Sequence, residues 1–190
     1  MSPILGIYAS QISGHLWPAS SYESIATLTA SGSTSSFNFT SIPSTYTHLQ
    51  LRVMHANISN SSSGNYIQFN GSGSNVYTSH RLSGDGSSAT ASAIAPNNLI
   101  DFDGRSEPKG NDLTNAFGVS IIDILDYANT NKFKTARILN GWDINGAGRI
   151  AFLSGLWRDT TAINRIEFGD TINNFTAGST AALYGIKGVA

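Results

Sequence analysis

The sequence predicts an all-β protein, specifically an antiparallel β-sandwich of the jelly-roll type with an extended N-terminal arm. Apolar and polar side chains alternate along many short runs, which is the period of a half-buried strand. Clusters of Gly, Asn and Ser separate these runs at spacings of about 8–12 residues, as in sandwiches and barrels. A length of 190 residues suits one domain. We therefore expect an arm over residues 1–20 and a single sandwich domain over residues 21–190.

Several runs support this prediction in chain order. Clear alternation occurs in Phe37–Phe39, Leu49–Val53, Ile67–Phe69, Phe133–Leu139, Ile166–Phe168 and Tyr184–Ile186. The run Val119–Leu125 is different, because it is almost continuously apolar and rich in β-branched residues. That composition predicts a central strand covered on both faces. A helix over Ile121–Tyr127 is the alternative, but the β-branched residues and the Asn-rich turn that follows favour a strand. Residues 95–115 are rich in turn formers and are expected to form a surface loop.

Composition excludes several classes of function. The chain has 11 Lys and Arg against 12 Asp and Glu, so it offers neither a basic face for nucleic acid nor a polybasic patch for a membrane. Without cysteine it has no disulfide, no thiolate metal site and no Cys nucleophile. The first residues lack the pattern of a signal peptide, and no stretch approaches the ~18 apolar residues of a membrane-spanning helix. We expect no cofactor, no nucleic acid and no membrane as partners.

The motifs that suggest chemistry are weak. Gly84–Ala89 fits the form G-x-G-x-x-A, but no apolar helix follows it, so we interpret it as a loop. Asp101–Glu107 resembles a calcium loop, with Asp101, Asp103 and Glu107 as its carboxylates, yet its Gly stands at the fourth position instead of the sixth. A solvated turn is the simpler interpretation of that segment. The four histidines are scattered, and spacing alone assembles no Ser/His/Asp set. The sequence therefore predicts neither an enzyme nor a metal site.

Two tryptophans are candidates for carbohydrate contact. Trp142 and Trp157 each lie near the end of a predicted strand, where an indole ring can stack on the C–H groups of a sugar. The alternative is that both rings close the core at the ends of the sandwich, which is the commoner use of large aromatic residues.

The N-terminal segment is unusually apolar for its length. Its large apolar residues lack a clean period and precede the first strand: Ile4, Leu5, Ile7, Tyr8, Leu16 and Trp17. Each large side chain gains ~1.5–3 kcal/mol from full burial, so a free segment of this kind is unfavourable. We expect residues 1–20 to form an assembly arm that packs on a neighbouring subunit or on another protein of the same assembly.

Five stretches of the chain carry a resemblance to known proteins: Ser21–Thr27, Ile42–Arg52, Ile67–Gly71, Gly155–Arg158 and Ala182–Gly188. They resemble a family of tailed-bacteriophage virion proteins, whose members include decoration proteins and tail-fibre-like proteins. The opening Pro3–Ile7 is similar to the start of many phage structural proteins. The resemblance covers most of the chain from about residue 21. It implies a β-sandwich that lies on the surface of a virion and has no enzyme activity.

The expected function is therefore that of a non-enzymatic virion structural protein that decorates or stabilises the capsid or an appendage. The alternative is a carbohydrate-binding, receptor-recognition module of a tail or head fibre, with host surface polysaccharide as its ligand. Expected partners are a major capsid or appendage protein and further copies of the chain, with a trimer favoured because virion positions are symmetric. The expected location is the particle surface, after synthesis in the host cytoplasm.

Overall fold

The computed structural model describes residues 21–62, 64–102 and 104–188, and within them it contains twelve β-strands and no helix. Their bounds are β1 (Tyr22–Thr29), β2 (Ser36–Phe39), β3 (His48–His55), β4 (Asn65–Phe69), β5 (Tyr77–Gly84), β6 (Ala89–Asn97), β7 (Ile100–Asp101), β8 (Gly118–Leu125), β9 (Lys134–Asp143), β10 (Gly148–Trp157), β11 (Ile166–Asp170) and β12 (Thr180–Ile186). This part of the chain holds no helix long and apolar enough to cross a membrane. The predicted all-β fold class is confirmed, and Ile121–Tyr127 does not form the alternative helix.

The strands form two antiparallel sheets that pack together as a sandwich. The large sheet has the order β1-β12-β3-β8-β9-β10-β5-β6, and the small sheet has the order β2-β11-β4-β7. The first four strands alternate between the two sheets, as strands of a jelly roll do. The β-sandwich is thus confirmed, while the jelly-roll assignment stays a prediction that this alternation supports.

The core lies between the two sheets and follows the alternation in the sequence. In β3 the side chains of Leu49, Leu51 and Val53 are buried and their neighbours are more exposed. Phe37, Phe69, Phe168 and Phe175 fill the small-sheet side, with the Phe37 and Phe175 rings stacked at 5.0 Å between centroids. Every second side chain of a strand points toward the opposite sheet and is buried there, so the alternation in the sequence matches the alternation in burial.

Two local expectations are wrong. The strand β8 is central in the large sheet, but it is covered on one face only, since Val119 and Leu125 are half exposed. The segment 95–115 is not simply a surface loop. Its strand β7 pairs with β4, and some of the residues that follow are buried between the two sheets. Phe102 and Glu107 are fully buried there, so the interpretation of Asp101–Glu107 as a solvated turn fails at its last residue.

Candidate assembly surface

The solvent-facing side of the large sheet, here called the outer face, carries two adjacent rows of apolar side chains. The first row runs across five strands through directly paired positions: Ala91, Leu82, Phe152, Leu139 and Ile121. The second row lies one step along the strands and joins Ile150, Gly141, Val119 and Met54. The large members of both rows are between 36% and 61% exposed. These two rows are called the apolar rows below.

The apolar rows explain why β8 and β9 are apolar on both faces. Residues such as Ile122 and Ile138 point into the core, while Ile121 and Leu139 point outward at the neighbouring positions. Soluble monomers rarely expose contiguous apolar patches larger than a few hundred Å² unless the patch is used for binding. Within residues 21–62, 64–102 and 104–188, nothing covers these outward side chains.

A polar and aromatic region borders the apolar rows. The Arg52 guanidinium lies 5.5 Å from the centroid of the Tyr22 ring and 5.6 Å from that of Tyr184, and those two rings stack on each other. The Gln50 amide donates to Asp123 at 2.8 Å, and Arg137 forms an ion pair with the same carboxylate at 3.6 Å. An apolar centre with a polar rim of paired charges is the usual anatomy of a protein–protein interface.

A second cluster, buried between the sheets, has the connectivity of a catalytic triad. The Nδ1 atom of His55 lies 2.6 Å from Oε2 of Glu107, and its Nε2 atom lies 3.0 Å from the Ser120 hydroxyl. The Asn65 amide also donates to Oε2 at 3.2 Å, and the Asn140 amide donates to the Ser120 hydroxyl at 3.0 Å. Sequence spacing missed this set because its members come from β3, β8 and the segment after β7.

Burial decides what this buried cluster does. Burial by itself would raise the pKa of Glu107, but the hydrogen bond and the charge interaction with His55, together with a hydrogen bond from the Asn65 amide, lower it below the usual value. The side chains of Ser120, His55 and Glu107 are all at most 1% exposed. No substrate reaches the Ser120 hydroxyl in this arrangement. The cluster therefore ties β3, β8 and the segment after β7 together, and its chemistry is that of a structural hydrogen-bond network.

The two tryptophans have different environments, and one prediction is wrong. Trp157 is 1% exposed, and its ring packs against Phe69 at 5.6 Å and Tyr77 at 6.1 Å between centroids, so it offers no face to a sugar. Trp142 is half buried, and the Arg105 guanidinium lies 3.9 Å from its ring centroid. One face of Trp142 is thus already occupied by a cation. Trp157 belongs to the core, as the alternative interpretation has it.

The remaining sequence candidates are only partly described. The arm residues Ile4, Leu5, Ile7, Tyr8, Leu16 and Trp17 lie outside the described residues, as does Asp103 of the calcium-like loop. Over the described ranges, no group of three His, Asp or Glu side chains is placed to hold a metal ion. The Gly84–Ala89 segment is the turn between β5 and β6, where the Asp85 carboxylate accepts bonds from the backbone N–H groups of Ser87 and Ser88 at 2.9 and 2.8 Å.

The fold and this surface define a β-sandwich protein with exposed apolar side chains across the outer face of its large sheet. No family model, no curated protein and no solved structure matches the chain.

Proposed function

We propose that the protein is a non-enzymatic structural component of a bacteriophage virion that decorates or stabilises the capsid or an appendage through contacts between subunits. The observation that carries this proposal is the pair of apolar rows on the outer face of the large sheet. The resemblance of five stretches of sequence to phage virion proteins supplies the biological setting. The buried position of the Ser–His–Glu cluster supports a role without catalysis.

The energetics favour association when the outer face is combined with other contacts. Fully burying a large apolar side chain is worth ~1.5–3 kcal/mol, and those of the apolar rows are roughly half buried already. Covering the exposed half of six such side chains therefore stabilises the associated state by roughly 5–9 kcal/mol. This is of the same order as the ~4–15 kcal/mol that association costs. The outer face is thus a strong contributor to an interface, and further contacts are needed for a tight one.

Repeated copies of such a face are expected in a closed ring. Homo-oligomers are usually closed by rotational symmetry, and the proposed trimer matches the symmetric positions of a virion. Other virion proteins, such as a major capsid or appendage protein, are the proposed further partners at the particle surface.

The oligomeric state tests the proposal. In multi-angle light scattering, the wild-type protein is expected to have a multiple of the 20.1 kDa chain mass. Ile150→Ser removes an outward side chain of the apolar rows that is 61% exposed, and it should shift the protein toward monomer. Ile172→Ser is the matched control, because Ile172 is 74% exposed in the loop after β11, away from the outer face.

Two results would contradict the proposal. One is a wild-type protein that stays monomeric at all concentrations up to the high micromolar range. The other is an oligomer that both serine variants leave unchanged, with circular dichroism and melting like those of the wild type. In that case the outer face would take no part in assembly.

Carbohydrate binding by a fibre tip is the second candidate, and Trp142 is the observation that favours it. Its ring is half buried and lines a surface depression together with Asp143 and the following turn, Gly146–Gly148. Binding of the protein to a panel of bacterial surface polysaccharides, lost in Trp142→Ala and retained in Ile172→Ser, would establish this function. If the protein bound none of the polysaccharides, the carbohydrate-binding function would be rejected.

A further inference from the structure

The outer face contains a groove at one end of the sheet. It lies along β9 between β8 and β10, next to the apolar rows, and has a volume of about 410 Å³. Its apolar walls are Leu125, Phe133 and Phe152, whose side chains are 49% to 55% exposed. The polar residues around it are Asp123, Asp126, Lys132, Thr135, Arg137 and Ser154.

The charges around this groove are already paired. Lys132 contacts the Asp126 carboxylate at 2.7 Å, and Arg137 contacts the Asp123 carboxylate at 3.6 Å. A charged ligand would have to displace one of these pairs, whereas an uncharged apolar segment would not. The groove therefore fits large apolar side chains and hydroxyl or backbone groups that hydrogen-bond at its rim.

The N-terminal segment of the chain has this chemistry. Residues 1–20 contain no Asp, Glu, Lys or Arg, and they carry three aliphatic residues and a tyrosine between Ile4 and Tyr8, followed by Leu16 and Trp17. The composition of this segment complements the groove and the apolar rows.

The end of that segment lies at the same end of the sheet as the groove. The backbone N–H of Lys187 donates to the carbonyl of Ser21 at 2.9 Å, so the pairing of β1 with β12 reaches Ser21. Tyr22, which follows Ser21, pairs with Ile186 on β12. Ile186 pairs with His48 on β3, and His48 pairs with Leu125 on β8, which lines the groove. The edge strand β1 therefore begins at the groove end of the sheet.

The length of the segment allows it to reach a neighbouring molecule. Twenty extended residues span up to ~66–72 Å, whereas β1 and β9 are four strands apart, or ~19 Å. β1 starts at the edge of the sheet and runs away from the groove end, and the span of the segment exceeds the width of its own sheet up to β9, so it is long enough to reach a second copy.

We propose that residues 1–20 of one copy dock in the groove formed by Leu125, Phe133 and Phe152 of a second copy. The inference rests on the proposed function, because it names the segment that completes the subunit contact. Such a head-to-tail exchange, in which each copy gives one arm and accepts one, closes into a ring when the rotation allows it. The arm also supplies the additional contacts that the apolar rows need to offset the cost of association.

Chemical cross-linking tests the exchange cleanly, since the chain has no cysteine of its own. Ser10→Cys marks the arm, Ser154→Cys marks the groove, and Ser61→Cys marks an exposed loop after β3 at the other end of the sheet. Full-length Ser10→Cys protein is mixed with an equal amount of one of the other two variants, allowed to exchange subunits, and treated with a short bismaleimide. The cross-linked pairs are identified by mass spectrometry.

The expected result is a Ser10–Ser154 link between two copies that is several-fold more abundant than the Ser10–Ser61 link. Adding Phe133→Ser to the groove copy should reduce that link, and adding Ile172→Ser should not. A doubly substituted Ser10→Cys, Ser154→Cys chain that links within one molecule at all concentrations would overturn the proposal, since the arm would then cover its own sheet.

The outcomes separate this inference from the proposed function. An oligomer in which the Ser10–Ser154 link is no more abundant than the Ser10–Ser61 control overturns arm docking and leaves assembly through the apolar rows standing. A wild-type protein that is monomeric overturns both.

Discussion

Replacing His55 by phenylalanine should destabilise the protein strongly, although the ring keeps its place. The His55 ring lies edge-on to Phe168 at 5.3 Å and to Phe175 at 6.1 Å between centroids, so a phenyl ring finds similar apolar neighbours. The substitution removes the two nitrogens that contact Glu107 and Ser120. It therefore isolates the polar contribution of the buried cluster from its packing.

The magnitude follows from the burial of Glu107. The carboxylate is fully buried and loses its closest partner, at 2.6 Å, while the bonds that remain from the amides of Asn65 and Asn57 are longer, at 3.2 and 3.4 Å. Removing one partner of a buried ion pair typically costs about 3–5 kcal/mol. For a chain of this size that corresponds to a fall in Tm of about 6–20 °C. His80→Phe is the matched control, because His80 is exposed on β5, and its effect should lie within about 0.5 kcal/mol.

The pH dependence provides an independent check. The pKa of Glu107 is lower in the folded protein than its usual 4.5, so its ionisation stabilises the fold above that pH, and this stabilisation is lost as the pH falls through the folded-state value. Without His55, burial raises the pKa of Glu107, so protonation now favours the folded state. The difference in stability between wild type and His55→Phe should therefore shrink between pH 7 and pH 4.

The assay is urea unfolding followed by circular dichroism at one fixed protein concentration, because self-association adds to apparent stability. A folded His55→Phe protein within 1 kcal/mol of the wild type, or a stability difference that grows on acidification, would refute the assignment of His55 as the group that holds the Glu107 charge.

Two further predictions concern packing and metal ions. Gly155→Ala should lower stability by about 1–3 kcal/mol, because the added Cβ would lie 2.5 Å from the Ile100 side chain, whereas Gly73→Ala has open space around it and should leave the melting temperature nearly unchanged; equal Tm values for the two variants would contradict this packing. Thermal melts with and without EDTA should coincide, and a fall of many degrees on chelation would instead make Asp101, Asp103 and Glu107 ligand candidates.

The fold class follows from local patterns in the sequence. Alternation in stretches such as Leu49–Val53 reports a strand with one buried face, and that information is local, because successive side chains of a strand point to opposite sides. The apolar run Val119–Leu125 was likewise identified as a strand. Whether the outward side chains of this strand are covered is not a local property, because it depends on what lies against that face of the sheet.

Contacts between residues that are far apart in the chain do not follow from local patterns. Glu107 belongs to a polar, turn-rich segment, and nothing in its neighbours predicts burial; it becomes buried because β7 pairs with β4 and directs the following residues between the sheets. Its contact with His55 spans 52 positions of sequence, and that of His55 with Ser120 spans 65. In the same way the apolar rows exist only because the pairing of β8, β9, β10 and β5 aligns outward side chains that are far apart in the chain. Local patterns fix which face a side chain points to, but strand order and register decide what it contacts there.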